Sequence, residues 1–299
     1  MHECEQLPAP LDRYQQRFAQ VLAFIESHSE RALSIDELSD VAAFSRHHFH
    51  RQFSGFLGMS AYRYVQFMRM RRASWRLAFR PGLSVCEIAL STGYEGPEAF
   101  ARAFRQFSGQ SPSAFRDSPD WREWHARFRP FFVLRQSSMN IPCAPLLVRL
   151  VSFPATRVAS LEHRGSPLRL GESIRRFIEW RKANRLAPST SATYNIVYDD
   201  PDETPPEEFR FRLCAATNHP VAANDAGVTE MIIPAGRCAL LRHVGSDDQL
   251  GRSIRHLYSS WLPTSGEDLR DYPLYLRRVA FFPDVPDSEA ITDIYLPLR

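Results

Sequence analysis

Long apolar runs are missing from this 299-residue chain: none approaches the roughly 18 residues needed to cross a bilayer. Its start, Met1-His2-Glu3-Cys4-Glu5, is polar and is not a signal peptide, so the expected setting is the cytoplasm with no membrane partner. Cysteine is scarce and scattered. Cys4, Cys86, Cys143, Cys214 and Cys238 have no paired spacing, which argues against a zinc or disulfide framework and predicts reduced, buried thiols. Lysine is nearly absent: of 37 basic side chains only Lys182 is not an arginine, so guanidinium groups would carry most phosphate binding. Enzyme signatures are lacking too, with no Gly-x-Ser-x-Gly, His-Glu-x-x-His or phosphate-loop pattern, and no catalytic residue or cofactor is expected.

Nor is there a strong overall charge. The net +3 comes from 14 Arg against 12 acids in residues 1–118, four against two in 119–145, and 18 Arg with one Lys against 20 acids in 146–299. A tilt this mild does not by itself identify a nucleic-acid binder. The sharper feature is a cluster, Arg69, Arg71, Arg72, Arg76 and Arg80, inside twelve residues. Length and a 44% hydrophobic content suit two domains, each with a proper core.

What is present is repetition. Ser34-Ile35-Asp36-Glu37-Leu38 leads to Phe49-His50-Arg51-Gln52-Phe53 and Gly58-Met59-Ser60. Ser84-Val85-Cys86-Glu87-Ile88 then leads to Phe100-Ala101-Arg102-Ala103-Phe104 and Gly109-Gln110-Ser111. The offset is 50 at first and 51 from Phe49/Phe100, which places one inserted residue in the second turn. Two short helical patterns per copy describe a tandem helix-turn-helix over about 34–57 and 84–108. Ser34 with Glu37, and Ser84 with Glu87, predict a capping box at each start. Short breaks follow at Ala43-Phe44 and Gly93-Tyr94, where a Gly suits a turn needing positive φ. Phe49, Phe53 and Phe56, matched by Phe100, Phe104 and Phe107, fall on one buried stripe per second helix.

The residues left outward are the candidate DNA readers: Arg46, His47, His50 and Arg51 in one copy, Glu98, Ala101, Arg102 and Arg105 in the other. Arginine on the exposed face of such a helix suits guanine edges or phosphates in the major groove. His47, His48 and His50 lack a helping carboxylate or thiolate at metal spacing and predict no metal site. Residues 12–29 read as an amphipathic helix on Phe18, Val21, Leu22 and Ile25. The run after Ser60, ended by Pro81-Gly82, reads as a rod with Val65, Met68, Arg72 and Trp75 along one side. That rod would hold the two reading helices about one DNA turn, roughly 34 Å, apart.

With the ending Gly109-Gln110-Ser111-Pro112-Ser113-Ala114-Phe115-Arg116, this stretch resembles the DNA-binding domain of the AraC/XylS transcription factors. The resemblance implies an all-α domain over 1–117 on double-stranded DNA, an activating regulator, and RNA polymerase as a partner. Residues 118–145 read as a linker from Asp117-Ser118-Pro119-Asp120 and Ile141-Pro142-Cys143-Ala144-Pro145, with Trp121, Trp124, Phe128, Phe131 and Phe132 predicting a docked element inside it.

From 146 to 299 the pattern turns β-rich, and a second repeat runs at an offset of 80: Pro154 to Ser166 against Pro234 to Ser246, and Leu170 to Arg175 against Leu250 to Arg255. Each half reads strand, helix, strand, strand, with later strands at 194–199 and 208–216, then 272–281 and 289–298. Two such halves predict an α+β domain: one antiparallel sheet, two helices on one face, and a cleft between halves. The loops at His163/Gly165 and His243/Gly245, with Tyr198-Asp199-Asp200-Pro201 and Ile291 to Leu298, resemble the GyrI-like small-molecule-binding domain. Many members carry a Glu near the penultimate strand that faces cationic ligands. Here Tyr272 to Arg277 has no acid, which weakens a cationic effector and leaves an apolar, aromatic or even anionic one open, with an apolar or aromatic effector expected first. Trp180, Tyr194, Tyr198, Trp261 and Tyr275 are the candidates to line the cleft. His163 and His243 are expected to satisfy backbone groups. A second reading stays open, a ligand-binding or hydrolytic protein whose helical half mediates protein contacts.

Overall fold

The computed structural model describes residues 10–28, 31, 33–138, 146–201 and 203–299. Cys4, Cys143, the polar start and the signal at Ile141 to Pro145 lie outside the described residues. The chain divides into two compact units, one ending at Ala144 and one beginning at Pro145.

The first unit is helical: α1 (Pro10–His28), α2 (Ile35–Val41), α3 (Arg46–Leu57), α4 (Ala61–Phe79), α5 (Val85–Ser91), α6 (Pro97–Ser108), α7 (Pro112–Asp117) and α8 (Trp121–Ser138). Both capping boxes form. Ser34 Oγ accepts from the Glu37 amide at 3.1 Å while the Ser34 amide donates to Glu37 Oε2 at 2.9 Å. Ser84 and Glu87 repeat this at 3.1 and 2.7 Å. Those bonds, with the Ser backbone amide as the first cause, hold both glutamates below the usual carboxylate range. The turns then differ in length by the inserted residue, since α2 and α5 start 50 apart but α3 and α6 start 51 apart. Both turns use the left-handed region, at φ +51 for Ala43 and +77 for Gly93. Glycine has a second reason at 93: a Cβ there would come within 3.0 Å of the Arg69 guanidinium.

Helix α4 is the axle. It touches α1, α3, α5, α6, α7 and α8, so nearly its whole circumference is buried and not one side alone. This corrects the reading of its arginines as a phosphate-binding cluster. Arg69, Arg71 and Arg72 are each less than a tenth exposed. Arg69 Nη2 donates to the Arg31 carbonyl at 2.7 Å, Arg76 Nη1 to Ser91 Oγ at 2.6 Å, and Arg80 Nη1 to the Phe79 carbonyl at 3.0 Å. Arg71 lies over the Phe132 ring at 6.0 Å. Arg69, Arg71 and Arg76 tie α4 to the segment before α2, to α8 and to α5, and Arg80 caps its own helix end.

Residues expected as linker include α8, and α8 is core. Trp124, Phe128 and Phe131 are fully buried, and Trp124 Nε1 donates to Ser74 Oγ of α4 at 2.8 Å. Arg135 Nη1 meets Glu26 Oε1 of α1 at 2.8 Å with both side chains out of water. Five bulky aromatics in one helix bury more apolar area than a linker can leave in solvent.

The second unit is one eight-stranded antiparallel sheet in the order β1-β6-β8-β7-β3-β4-β2-β5. Its strands are β1 (Val148–Phe153), β2 (Thr156–Arg164), β3 (Thr193–Val197), β4 (Arg210–Ala216), β5 (Thr229–Ile233), β6 (Gly236–Val244), β7 (Tyr275–Ala280) and β8 (Ile291–Pro297). Helix α9 (Leu170–Ala183) follows β2. Helix α10 (Leu250–His256) follows β6 and continues through a π-helical turn at Leu257–Trp261 into α11 (Leu262–Ser265). The halves exchange their edges: β1 precedes β2 in the chain but pairs with β6, and β5 precedes β6 but pairs with β2. The halves meet at β3 and β7, where Tyr194 faces Arg277 and Ile196 faces Tyr275.

Strand alternation separates two faces. On one, α9 covers Ala159, Leu161, Leu213 and Ala215, while α10 and the π turn cover Ala239, Leu241, Leu276 and Ile294. The other face carries no helix, and its buried residues form one cluster drawn from all eight strands. The sheet curls around that cluster. Phe153 of β1 lies 6.0 Å from the Tyr194 ring of β3, although four strand spacings separate them, about 19 Å if flat.

Candidate functional site

In the helical unit, Phe49 and Phe53 of α3 and Phe100 and Phe104 of α6 are fully buried. Phe56 and Phe107 end each stripe half-buried, stacked on Phe18 at 4.5 Å and set edge-on to Phe67 at 5.0 Å. With one side of each helix sunk, the other is fixed outward. Arg46, His47, His50, Arg51, Glu98, Arg102 and Arg105 are exposed, and Ala101 is half-buried. Arg46 makes a solvent-exposed ion pair with Asp36 at 3.3 Å. Among the described residues Arg51, Arg102 and Arg105 have no carboxylate partner, so their N–H groups remain available to an anion. Cys86, expected to be buried, is exposed on α5, while Cys214 and Cys238 are buried thiols.

In the sheet unit the five expected cleft residues do not share one place. Tyr194 and Tyr275 belong to the helix-free cluster, and Tyr198 packs against it. Trp180 and Trp261 pack on the opposite face, each against the core of its own half. The correction follows from their elements: helices cover one face only, so a helix tryptophan cannot reach the other. What replaces them is Tyr295, Phe153 and Tyr272. Tyr275 stacks on Tyr295 at 5.1 Å with rings 7° apart, Phe153 sits edge-on to both at 5.0 and 5.2 Å, and Tyr272 lies 6.2 Å from Tyr275. Tyr275 Oη is 3.2 Å from Cys238 Sγ. Burial raises the Tyr194, Tyr272, Tyr275 and Tyr295 phenols and pushes the Cys214 thiol up to about 12, so these groups stay protonated at neutral pH.

Charge edges this aromatic wall in a pseudo-symmetric way. Glu162 of β2 pairs with Arg212 of β4, and Arg242 of β6 pairs with Asp293 of β8 at 2.7 and 2.9 Å. Each pair joins residues in direct register, and the acid and base exchange strands between halves. Arg212 also lies 6.0 Å from the Tyr198 ring, with Arg210 at 5.2 Å. Sequence reading missed these residues. The signal was present in Ile291-Thr292-Asp293-Ile294-Tyr295, whose alternation sends Asp293 and Tyr295 to one face.

The two repeated histidines are engaged on both nitrogens. His163 Nδ1 is 2.9 Å from Ser173 Oγ and Nε2 is 3.2 Å from the Ser166 carbonyl. His243 does the same with Ser253 at 2.9 Å and Ser246 at 3.0 Å. A carbonyl only accepts, so Nε2 carries the proton and Nδ1 accepts from the serine. Each ring therefore pins the loop after its strand to the following helix.

Comparison with known proteins agrees with this division. Residues 38–118 match the helix-turn-helix domain family, and residues 148–299 match the GyrI-like small molecule binding domain family. Over 152 residues the chain is 38% identical to the Probable transcriptional regulator YgiV of Escherichia coli strain K12, covering 50% of this chain and 95% of that protein. Over 109 residues it is 28% identical to the Transcriptional regulator Rob of Salmonella typhimurium, covering 36% of this chain and 37% of that one. The crystal structure of the DNA-binding domain of AdpA in complex with a target DNA matches 37% of this chain and 95% of its own, at 28% identity and a TM-score of 0.32. The chain belongs to the GyrI-like small-molecule-binding family and carries a helix-turn-helix domain ahead of it, which makes it a DNA-binding regulator with an effector domain.

Proposed function

We propose that α3 and α6 are the two reading helices, with Arg51 and Arg102 in equivalent roles, flanked by Arg46, His47 and His50 on one helix and by Glu98, Ala101 and Arg105 on the other. One observation carries this reading. Two capped helix pairs in register each bury a phenylalanine pair and present, on the opposite side, an arginine without a carboxylate partner. The helix-free face of the sheet, walled by Tyr194, Tyr198 and Tyr275 with Tyr295, Phe153 and Tyr272, is the proposed effector site. Trp180 and Trp261 are not part of it.

The protein acts where its DNA is, in the cytoplasm, and RNA polymerase is the proposed downstream partner. No helix of the described residues is long and apolar enough to cross a membrane. Against the hydrolytic alternative stand His163 and His243, which spend both ring nitrogens on serines and carbonyls.

The test is a fluorescence-anisotropy titration on fragments of the gene's own upstream region at several salt concentrations. Arg51→Ala or Arg102→Ala costs about 1–3 kcal/mol at the cognate site and relaxes specificity at one base pair if the arginine reads that base. Equal weakening on every sequence, with a shallower salt slope, assigns the residue to phosphate. No change in either variant overturns the assignment of these helices.

A further inference from the structure

The rim of the tyrosine-walled face is cationic, and its charges are not cancelled. Both acids that alternation places there, Glu162 and Asp293, are already tied to Arg212 and Arg242. Among the described residues Arg270 and Arg277 have no carboxylate partner. Arg277 lies beside the Tyr194 and Tyr295 hydroxyls.

Arg270 is held in an unusual way. Its Nη1 donates to the Ala235 carbonyl at 2.6 Å, and its guanidinium carbon sits 5.8 Å from the Tyr272 ring. It lies so close to the start of β6 that a Cβ on Gly236 would fall 2.0 Å from Nη1. With the head group fixed there, Nε and Nη2 are buried and have no acceptor, and neither has the buried Tyr272 hydroxyl. Native proteins rarely leave such donors unused, and a cluster of them beside an aromatic wall is a place where an acceptor belongs. Burial pushes the Tyr272 phenol up to about 12, so at neutral pH it is a donor.

Resting on the effector-site reading above, we infer that the effector is a small aromatic anion, an aryl or arylalkyl carboxylate. Its ring lies against the half-buried Tyr198 and Tyr272 at the edge of the buried Tyr275 and Tyr295 stack, and its carboxylate accepts from Arg270 and the Tyr272 hydroxyl. A guanidinium suits a carboxylate because both are planar and the hydrogen bonds are charge-assisted. A cationic ligand would instead face Arg270 and Arg277, with the two strand carboxylates, Glu162 and Asp293, already paired.

The experiment is isothermal titration of the full chain with three ligands of one shape: 2-naphthoate, 2-naphthamide and 2-naphthylmethylammonium. The carboxylate is expected to bind at least about tenfold tighter than the amide, and the ammonium weakest of the three. Arg270→Met should abolish the carboxylate's advantage while leaving the amide within about twofold, and Arg270→Lys should restore part of it. Thermal melts of each variant check that the fold survives. Tighter binding of the amide or the ammonium overturns the anion inference and leaves the effector site standing. Equal loss of all three ligands in Arg270→Met makes Arg270 a structural residue and also overturns it. If none of the three binds, the effector-site reading falls as well.

Discussion

Single side chains in this protein are read correctly only with their burial. His163 and His243 fit a pattern in which a histidine beside an acid or a loop invites a catalytic reading, and each turns out to be a staple between a strand end and a helix. His243 has a measurable consequence. Burial, the largest cause, holds its ring below the ordinary value of 6.5, outweighing the Ser246 carbonyl that favours the charged form. As pH falls through 6.5 the unfolded chain therefore takes up the proton first, and the sheet unit loses stability until the folded ring titrates in turn. Urea midpoints at pH 7.5 and pH 5.5 are expected to drop further in the parent than in His243→Gln, which keeps a polar group but cannot be protonated. An equal drop in both would remove His243 from the acid response.

At the scale of elements, the repeats were legible, and so were the departures from them, provided each insertion is followed to where it is absorbed. In the helical unit the offset moves from 50 to 51 in the turn before the reading helix, and Gly96-Pro97 takes up the residue where Ser45-Arg46 stands in the first copy. In the sheet unit the offset of 80 at Ile174/Ile254 becomes 81 at Trp180/Trp261 and at Tyr194/Tyr275. The π turn at Leu257–Trp261 is the structural form of that one-residue insertion, and it returns Trp261 to the packing position Trp180 holds in the other half. Pattern alone could not say which sheet face the tryptophans served, because a helix chooses its face through the crossover and not through its own periodicity. For α8 it predicted a docked element but not the partners that hold it. The aromatic stripe was plain, but the buried Arg135 with Glu26, 109 positions earlier, is a tertiary fact. That pair predicts its own test: Glu26→Gln or Arg135→Met alone should cost about 3–5 kcal/mol in denaturant unfolding of the helical unit, since each leaves a buried charge uncompensated. Replacing both with apolar residues should cost much less than the two single changes together. Additive losses would mean the ion pair does not couple α1 to α8.

For the molecule as a whole, a chain with one lysine has to use arginine for every cationic task, and the structure sorts those tasks by depth. Arg69, Arg71, Arg72 and Arg135 lie inside the helical unit and join helices. In the sheet unit Arg181 closes the β3 approach by donating to Leu186, Thr193 and Ser191, and its burial lowers it to about 10. On the two reading helices a small set faces outward for DNA. Arg46, Arg51, Arg102 and Arg105 are the exposed arginines of the two reading helices, while Arg17 and Arg63 lean on the Phe44 and Phe67 rings. If each of the four neutralises one phosphate, the logarithm of the binding constant should fall against the logarithm of salt concentration with a slope of about −3.6. Raising salt from about 50 to 200 mM would then weaken binding on the order of 100-fold. Had the α4 cluster reached the duplex, five more contacts would steepen the slope to about −8. A salt titration of the full chain on one operator fragment decides between them. A slope near the steeper value would mean that α4 opens on DNA and that its arginines are not the internal ties described above.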